Sequence, residues 1–495
     1  MVANVLRLAA AAACLLAAGA GQAADALSPR PNVVLVLWDN CGQEWLGCYG
    51  SDERRTPNLD ALARSGVRFE HCYTFPVCGP SRIELLTGRY PLHTGFIMHH
   101  DAGLYGGGGL DPRREIVFAR LFRTAGYATG ISGKWQVNNL YDEPRILTRH
   151  GFDEQLVWPG SIDRDQVSAD HMRRFEAAVQ AHDAATLTKL NQHIESRYWD
   201  PVVIRNGRRE VLPGKFGPDV FQEFALDFLA RHRDQPFLLY YPMVLTHGQS
   251  FKQPVVPTPL NRQGDRPHHQ MYGEMVEYAD RLVGQLVARL ESLGLRERTI
   301  VVVATDNGSE SSLVATRQGK PAAGGLYQLT EAGSDVGLVF NCPRLIPGGR
   351  TVPLTDFTDV FPTLCDLAGI GLPPNLKLDG RSQAGILRDP SAPPPRQWIL
   401  NQLNTRRAVR DTRYKLYSTG ELFDVEADRE EQHNLAASTE PKVVAARSRL
   451  EKVLASLPPD SPPPIELRSL SAFELADPPK PLPPQGARRA PQDQP

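Results

Sequence analysis

Apolar runs of strand type recur along the chain at 33–37, 128–132, 237–241, 300–304 and 336–340. A strand with one face in water alternates apolar and polar residues. Runs that do not alternate suit strands buried on both faces, as in a parallel sheet. Between them the period becomes helical. Phe221, Phe224, Ala225, Phe228 and Leu229 follow one face of a helix, with Asp219 and Gln222 placed as a capping-box-like start. Met275, Ala279, Leu282, Leu286, Leu290 and Leu293 make a longer stripe. This alternation predicts an α/β domain whose helices cover a mostly parallel sheet.

The pattern changes elsewhere. Residues 161–215 are charged, Ala-rich and irregular, and read as an insertion that borders a pocket. Prolines mark 373–396 as a linker. Beyond it, 398–403 and 408–417 read as strands and 442–457 as a helix, giving a small α+β subdomain at 397–457. Residues 458–495 form a Pro-rich tail expected to be disordered. At the other end, Arg7, an apolar run from Leu8 to Ala18 and the small residues around Ala23 and Ala24 read as a signal peptide over 1–24. The expected location is therefore periplasmic or secreted, and the catalytic domain is expected over 30–372.

Composition narrows the function classes. The 495 residues are 41% hydrophobic and 22% charged, with 55 Lys+Arg against 56 Asp+Glu. That balance gives no basic field for nucleic acid, and past the N-terminus no run is long enough for a membrane span. Six of the seven cysteines follow the signal, too few for a disulfide scaffold.

The chemistry follows the strands. Asp39 and Asn40 come after 33–37, Lys134 and Gln136 after 128–132, His247 after 237–241, and Asp306 and Asn307 after 300–304. In open α/β sheets the carboxyl ends of strands form the ligand crevice. Singly, each of these residues has an ordinary reading as a turn, cap or surface charge. Together, two Asp-Asn pairs offer hard oxygen ligands suited to Ca²⁺ or Mg²⁺. A cation beside Lys and His suits a multi-oxygen anion such as sulfate or phosphate. Cys78-Gly79-Pro80 is expected to break regular structure, after which Ser81 and Arg82 open a helix facing an anion. Arg82 then lies one turn from Cys78. A buried thiol before a turn is an equally good reading of Cys78 on these grounds alone.

From about residue 30 to 457 the chain resembles the sulfatase family, with its alkaline-phosphatase-like fold. The most specific element is Cys78-Gly79-Pro80-Ser81-Arg82 followed by Leu86-Thr87-Gly88-Arg89. Gly47-Cys48-Tyr49-Gly50, Thr56-Pro57-Asn58-Leu59-Asp60, Gly133-Lys134-Trp135 and Thr305-Asp306-Asn307-Gly308 follow in family order, as do Leu378–Ser382 and the Arg410-Asp411-Thr412-Arg413-Tyr414-Lys415 element. The resemblance implies that a formylglycine-generating maturation enzyme converts Cys78 to formylglycine. Its hydrate carries two hydroxyls on one carbon: one attacks sulfur, and the other later loses its proton and expels sulfate. It further implies that Asp39, Asn40, Asp306, Asn307 and the modified Cys78 bind Ca²⁺, with Mg²⁺ less favoured. Arg82 would hold the hydrate, Lys134 the sulfate and hydrate, and His247 the sulfate and leaving oxygen. The implied substrate is a sulfated small molecule or glycan.

Three positions depart from the family pattern. Asn40 stands where a second Asp is commoner, which removes one negative charge from the metal set. Gln136 stands where many members have His, and an amide cannot titrate. Leu326 stands where a Lys usually touches the leaving oxygen; Lys320, six residues earlier, reads as a solvated charge. A branch of bacterial sulfatase-like sequences shares Lys-Trp-Gln. The resemblance implies hydrolysis of an organic sulfate ester, a carbohydrate sulfate by family habit. The alternatives are a phosphate or phosphonate ester hydrolase and a degenerate protein that only binds sulfated glycans.

Overall fold

The computed structural model describes residues 30–53, 55–98, 109–160, 195–248 and 255–462. The signal peptide, residues 99–108 and 161–194 and the tail from 463 lie outside the described residues.

The main sheet contains β1 (Asn32–Trp38), β2 (Val67–Tyr73), β3 (Ala128–Lys134), β4 (Glu154–Trp158), β5 (Val202–Arg205), β6 (Arg208–Val211), β7 (Phe237–Pro242) and β8 (Thr299–Thr305). A side hairpin, β9 (Val314–Arg317) and β10 (Lys320–Ala323), follows β8. The main sheet then resumes with β11 (Asp335–Val336), β12 (Leu338–Asn341) and β13 (Arg350–Asp356). Its spatial order is β11-β2-β12-β8-β1-β7-β3-β4-β5-β6, with β13 on β2. The five central strands β8, β1, β7, β3 and β4 are parallel.

The unbroken apolar run of β1 has a direct cause. Val33, Leu35 and Leu37 face a core that includes Phe118, Phe122 and Phe361, and Val34, Val36 and Trp38 face a second core on the other side. Successive side chains point to opposite faces, and here both faces are covered. Helices α1 (Pro57–Ser65), α2 (Cys78–Thr87), α3 (Phe118–Thr124), α4 (Gly217–Arg231), α5 (His268–Ser292) and α6 (Val360–Leu367) supply much of that cover.

Four expectations need correction. The 336–340 run is split at Gly337 into β11 and β12, and β12 runs antiparallel to β8 and β2. After β8 the chain turns back at the carboxyl rim and re-enters the sheet from that end. Asp219 and Gln222 form no capping box: Pro218 opens α4, Asp219 accepts from the Tyr278 hydroxyl at 2.5 Å, and Gln222 donates to the Leu282 carbonyl. Both polar side chains tie α4 to α5. The 408–417 run is two strands, β15 (Arg406–Arg410) and β16 (Tyr414–Tyr417), because Asp411 accepts from the backbone N–H groups of Arg413 and Tyr414 and closes a turn. Residues 202–211 are regular, forming the β5–β6 hairpin at the sheet edge.

The C-terminal unit is an antiparallel sheet of β14 (Ile399–Leu403), β15, β16 and β17 (Leu422–Asp424), covered by α7 (Pro441–Ser456) through Val443, Ala446 and Leu450. Arg410 and Lys415 reach from it into buried ion pairs with Glu331 of the main domain. In the 373–396 stretch, Ala384 and Leu387 are buried and Arg396 pairs with Asp356 and Asp359. Among the described residues, no helix is long and apolar enough to cross a membrane.

Candidate active site

Four adjacent strands, β8, β1, β7 and β3, deliver the polar residues to one rim. Asp39 follows β1 directly, Asp306 follows β8, Lys134 ends β3, and His247 lies five residues past β7. Close strand packing positions Lys134: a Cβ on Gly133 would fall 1.9 Å from the Pro242 carbonyl oxygen, so only glycine lets β3 lie against β7 here. Asn40 and Gln136 both take the left-handed backbone region, at φ 56° and 69°. Asn tolerates this conformation. Gln rarely adopts it, and such strain clusters at functional sites.

The helix α2 begins at Cys78 itself, not at Ser81. Val77 is the extended N-cap and Pro80 falls in the first turn, where its missing N–H costs no intrahelical bond. The thiol therefore sits at the helix N-terminus, where the dipole favours an anion. Ser81 Oγ donates to the Asp306 carbonyl at 2.5 Å. One turn along, Arg82 donates to Asp306 Oδ2 at 2.7 Å and to the Lys134 carbonyl at 3.0 Å. Glu84 accepts from the Phe75 N–H at 2.8 Å and holds the preceding loop.

The acidic pairs meet. Asn40 N–H donates to Asp306 Oδ1 at 2.9 Å, and Asn307 Nδ2 donates to Asn40 Oδ1 at 2.7 Å. Asp39 Oδ2 accepts from Lys134 Nζ at 2.8 Å and from Arg197 at 3.4 Å. One ligand atom from each of Asp39, Cys78 and His247 lies within 4.8 Å of the others. Asp39, Asn40, Cys78, Arg82, Lys134, His247, Asp306 and Asn307 are thus brought to one buried rim, and Gln136, buried as well, follows Trp135 in the chain.

The electrostatics separate roles. Burial would raise the Asp39 carboxyl, but the cations Lys134, Arg82 and Arg197 outweigh it and hold Asp39 ionised. Asp306 is pushed up to about 6, by burial first and then by the charge of Asp39. Burial raises the Cys78 thiol, so the unmodified side chain is a protonated and poor nucleophile. His247 is held neutral by burial and then by Arg197, the strongest of the charges acting on it.

A divalent cation fits this donor set. Asp39 Oδ1 and Asn307 Oδ1 are buried without a hydrogen-bond donor among the described residues. Two hard oxygens in that condition, between two acidic pairs, are what Ca²⁺ would fill. A second group of possible ligands, His71, Glu331 and Asp335, is different, because its carboxylate oxygens already accept from Lys415, Arg410, Arg429 and His71.

Lys320 is exposed in β10 on the side hairpin. Leu326 is buried, its N–H bonded to the Ser309 carbonyl. Sequence reading missed Arg197. It lies in the stretch taken as an irregular insertion, and no motif spacing marks it. Only the fold brings it to Asp39 and stacks it on Trp158, at 4.0 Å from the ring centroid.

Three cations, Arg82, Lys134 and Arg197, surround two carboxylates, Asp39 and Asp306. A rim so biased suits a multi-oxygen anion. Residues 31–370 match the family model described as Sulfatase. The chain is 32% identical to N-acetylgalactosamine-6-sulfatase of Canis lupus familiaris over 383 residues, covering 74% of this chain and 67% of that protein. It is 30% identical to arylsulfatase A of Homo sapiens over 510 residues, covering 90% of each. Its fold matches a crystal structure of Ps i-CgsB in complex with k-i-k-neocarrahexaose, with TM-score 0.67 and 24% identity over 86% of this chain and 92% of that one. The chain belongs to the sulfatase family, enzymes that hydrolyse sulfate esters.

Proposed function

We propose that the protein is a formylglycine- and Ca²⁺-dependent sulfatase of an organic sulfate ester, exported by its N-terminal segment and matured by a formylglycine-generating enzyme. A carbohydrate sulfate is the favoured substrate class, on the likeness to N-acetylgalactosamine-6-sulfatase. The observation that carries this reading is the position of Cys78: buried at a helix N-terminus, within 4.8 Å of Asp39 and His247, one turn from Arg82.

Formylglycine in place of Cys78 supplies a hydroxyl nucleophile where burial keeps a thiol protonated. Asp39, Asn40, Asp306 and Asn307 would hold Ca²⁺, which would supply Lewis-acid chemistry for the sulfate oxygens. The chain's own residues do the rest. Arg82, fixed between Asp306 and the Lys134 carbonyl, keeps a positive charge beside residue 78 through the reaction. Lys134, almost fully buried against Asp39, offers its remaining N–H groups to the anion. His247, neutral and within 4.8 Å of Asp39 and Cys78, would donate an N–H to the sulfate and serve the leaving oxygen. Gln136 orients by hydrogen bonding and leaves proton transfer to others. Such donors are fixed before reaction, which is the main source of stabilisation for charge developing in the transition state.

Mass spectrometry of full-length protein from a maturation-competent host tests the reading. The Cys78 peptide should carry an aldehyde, and aryl sulfate should be hydrolysed faster than phosphate mono- or diesters. Recovery of thiol alone, or faster phosphate ester hydrolysis, would overturn it.

A further inference from the structure

We infer that Arg197 is a substrate-binding cation of this site, its guanidinium holding an oxygen of the sulfate group beside His247. The inference rests on the sulfatase reading above and assigns a residue that the motifs do not contain.

Trp158 ends β4 directly opposite Lys134 in the parallel register, so the two residues share the same rim. The Arg197 guanidinium lies 4.0 Å from the Trp158 ring centroid, and Trp158 Nε1 donates to the Glu195 carbonyl at 2.6 Å. The neighbouring Tyr198 hydroxyl bonds the His247 carbonyl at 2.6 Å and the Val244 carbonyl at 2.9 Å. The segment carrying Arg197 is therefore tied to both the Lys134 side and the His247 side of the rim.

Arg197 is only 4% exposed. Its Nε is buried with no acceptor among the described residues, and its contact with Asp39 Oδ2 is a long 3.4 Å, to an oxygen already taken by Lys134 at 2.8 Å. Arg82 also leaves its Nε open, but its two terminal nitrogens are engaged at 2.7 Å and 3.0 Å, closer than the one long contact of Arg197. A guanidinium has five N–H donors, and burying them without acceptors is costly. Stacking on Trp158 fixes the plane of the group without using those donors. A tetrahedral anion between Lys134, His247 and Cys78 would satisfy them. The bias of three cations over two carboxylates has the same sign.

The test uses full-length, aldehyde-verified protein, Arg197→Gln, Arg197→Lys and Arg197→Ala, with inorganic sulfate as the binding probe. Sulfate affinity, read as product inhibition and as thermal shift, should weaken about 10- to 100-fold in R197Q, the loss of a charge-assisted hydrogen bond. kcat/KM for an aryl sulfate should fall in the same range. R197K should lose less, and millimolar guanidinium should restore part of the R197A activity, which an arginine acting only as a strut would not allow. Sulfate affinity and kcat/KM within twofold of wild type in R197Q would overturn the inference. So would reduced activity without a change in sulfate affinity and without rescue. A wild-type protein that neither binds nor releases sulfate would bring down the sulfatase reading itself, a result distinct from an unaffected variant.

Discussion

Two clusters of buried charge sit in this molecule, built from nearly the same residue types. At the rim are Asp39, Asp306, Arg82, Lys134, Arg197 and His247. Where the C-terminal subdomain meets the main domain are Glu331, Asp335, Glu431, Arg410, Lys415, Arg429 and His71. In the second, every carboxylate oxygen of Glu331 and Asp335 is taken. Lys415 bonds Glu331 Oε1, while Tyr73 and Arg410 bond Oε2. Gln43 and the Cys72 N–H bond Asp335 Oδ1, and His71 and Arg429 bond Oδ2. At the rim, Asp39 Oδ1, Asn307 Oδ1 and His247 Nδ1 are buried without a hydrogen-bond partner among the described residues, whereas the clamp leaves Arg410 Nε in that state but no carboxylate oxygen of Glu331 or Asp335. Charge composition alone does not separate a binding site from a structural clamp. Unfilled carboxylate and amide oxygens do, because a protein tolerates buried unsatisfied acceptors mainly where a ligand completes them.

The comparison can be broken by experiment. The largest effect should come from Cys78→Ala, which removes the nucleophile: turnover should fall at least about 10⁴-fold, with the melting temperature little changed. Parallel loss of folding and activity would place Cys78 in the structural class. In the clamp the order reverses. Arg410→Met breaks one of the two buried ion pairs of Glu331, leaving Lys415 alone against it, and should cost about 3–5 kcal/mol of stability, measured by denaturant unfolding, while activity per folded molecule is retained.

A smaller effect separates the clusters by metal. Ca²⁺ at about 100 times its dissociation constant should stabilise the protein by about 2.7 kcal/mol, read as a rise in melting temperature reversed by chelation. Asp39→Asn should remove the shift and Glu331→Gln should not. The smallest effect is in acid. Glu331 and Asp335 are buried, which alone would raise them. Arg410 and Lys415 at Glu331, and His71 and Arg429 at Asp335, hold both below their ordinary values of 4.5 and 3.8. The folded state then binds fewer protons than the unfolded one. The stability they contribute is whole above about pH 4.5 and is lost progressively as the pH falls below it. Denaturant titrations between pH 3 and 7 should show that slope, shallower in Glu331→Gln.

Much of the site was legible because its residues sit at strand ends. A buried parallel strand announces itself by an unbroken apolar run, and the polar residue that follows must lie at the carboxyl rim. Asp39, Lys134, His247 and Asp306 were found that way. The clamp was visible only as part of a motif, Arg410 to Lys415, with nothing to say that its partner was Glu331. The start of α2 was misplaced by treating Pro80 as a breaker, although the first helical turn has no bond for proline to break. Asp219 and Gln222 matched a local capping pattern but serve packing between two helices.

The sequence by itself determined the strands, the covering helices and the order in which the rim residues arrive, since these follow from hydrophobic period and short-range chain geometry. Only the tertiary structure decided that β12 runs antiparallel, that two amides and two carboxylates meet across β1 and β8, and that Arg197 stands on Trp158 beside Asp39. Those facts depend on contacts between residues far apart in the chain. Arg197 and Asp39 are brought together by the pairing of four strands, and no local pattern records that pairing.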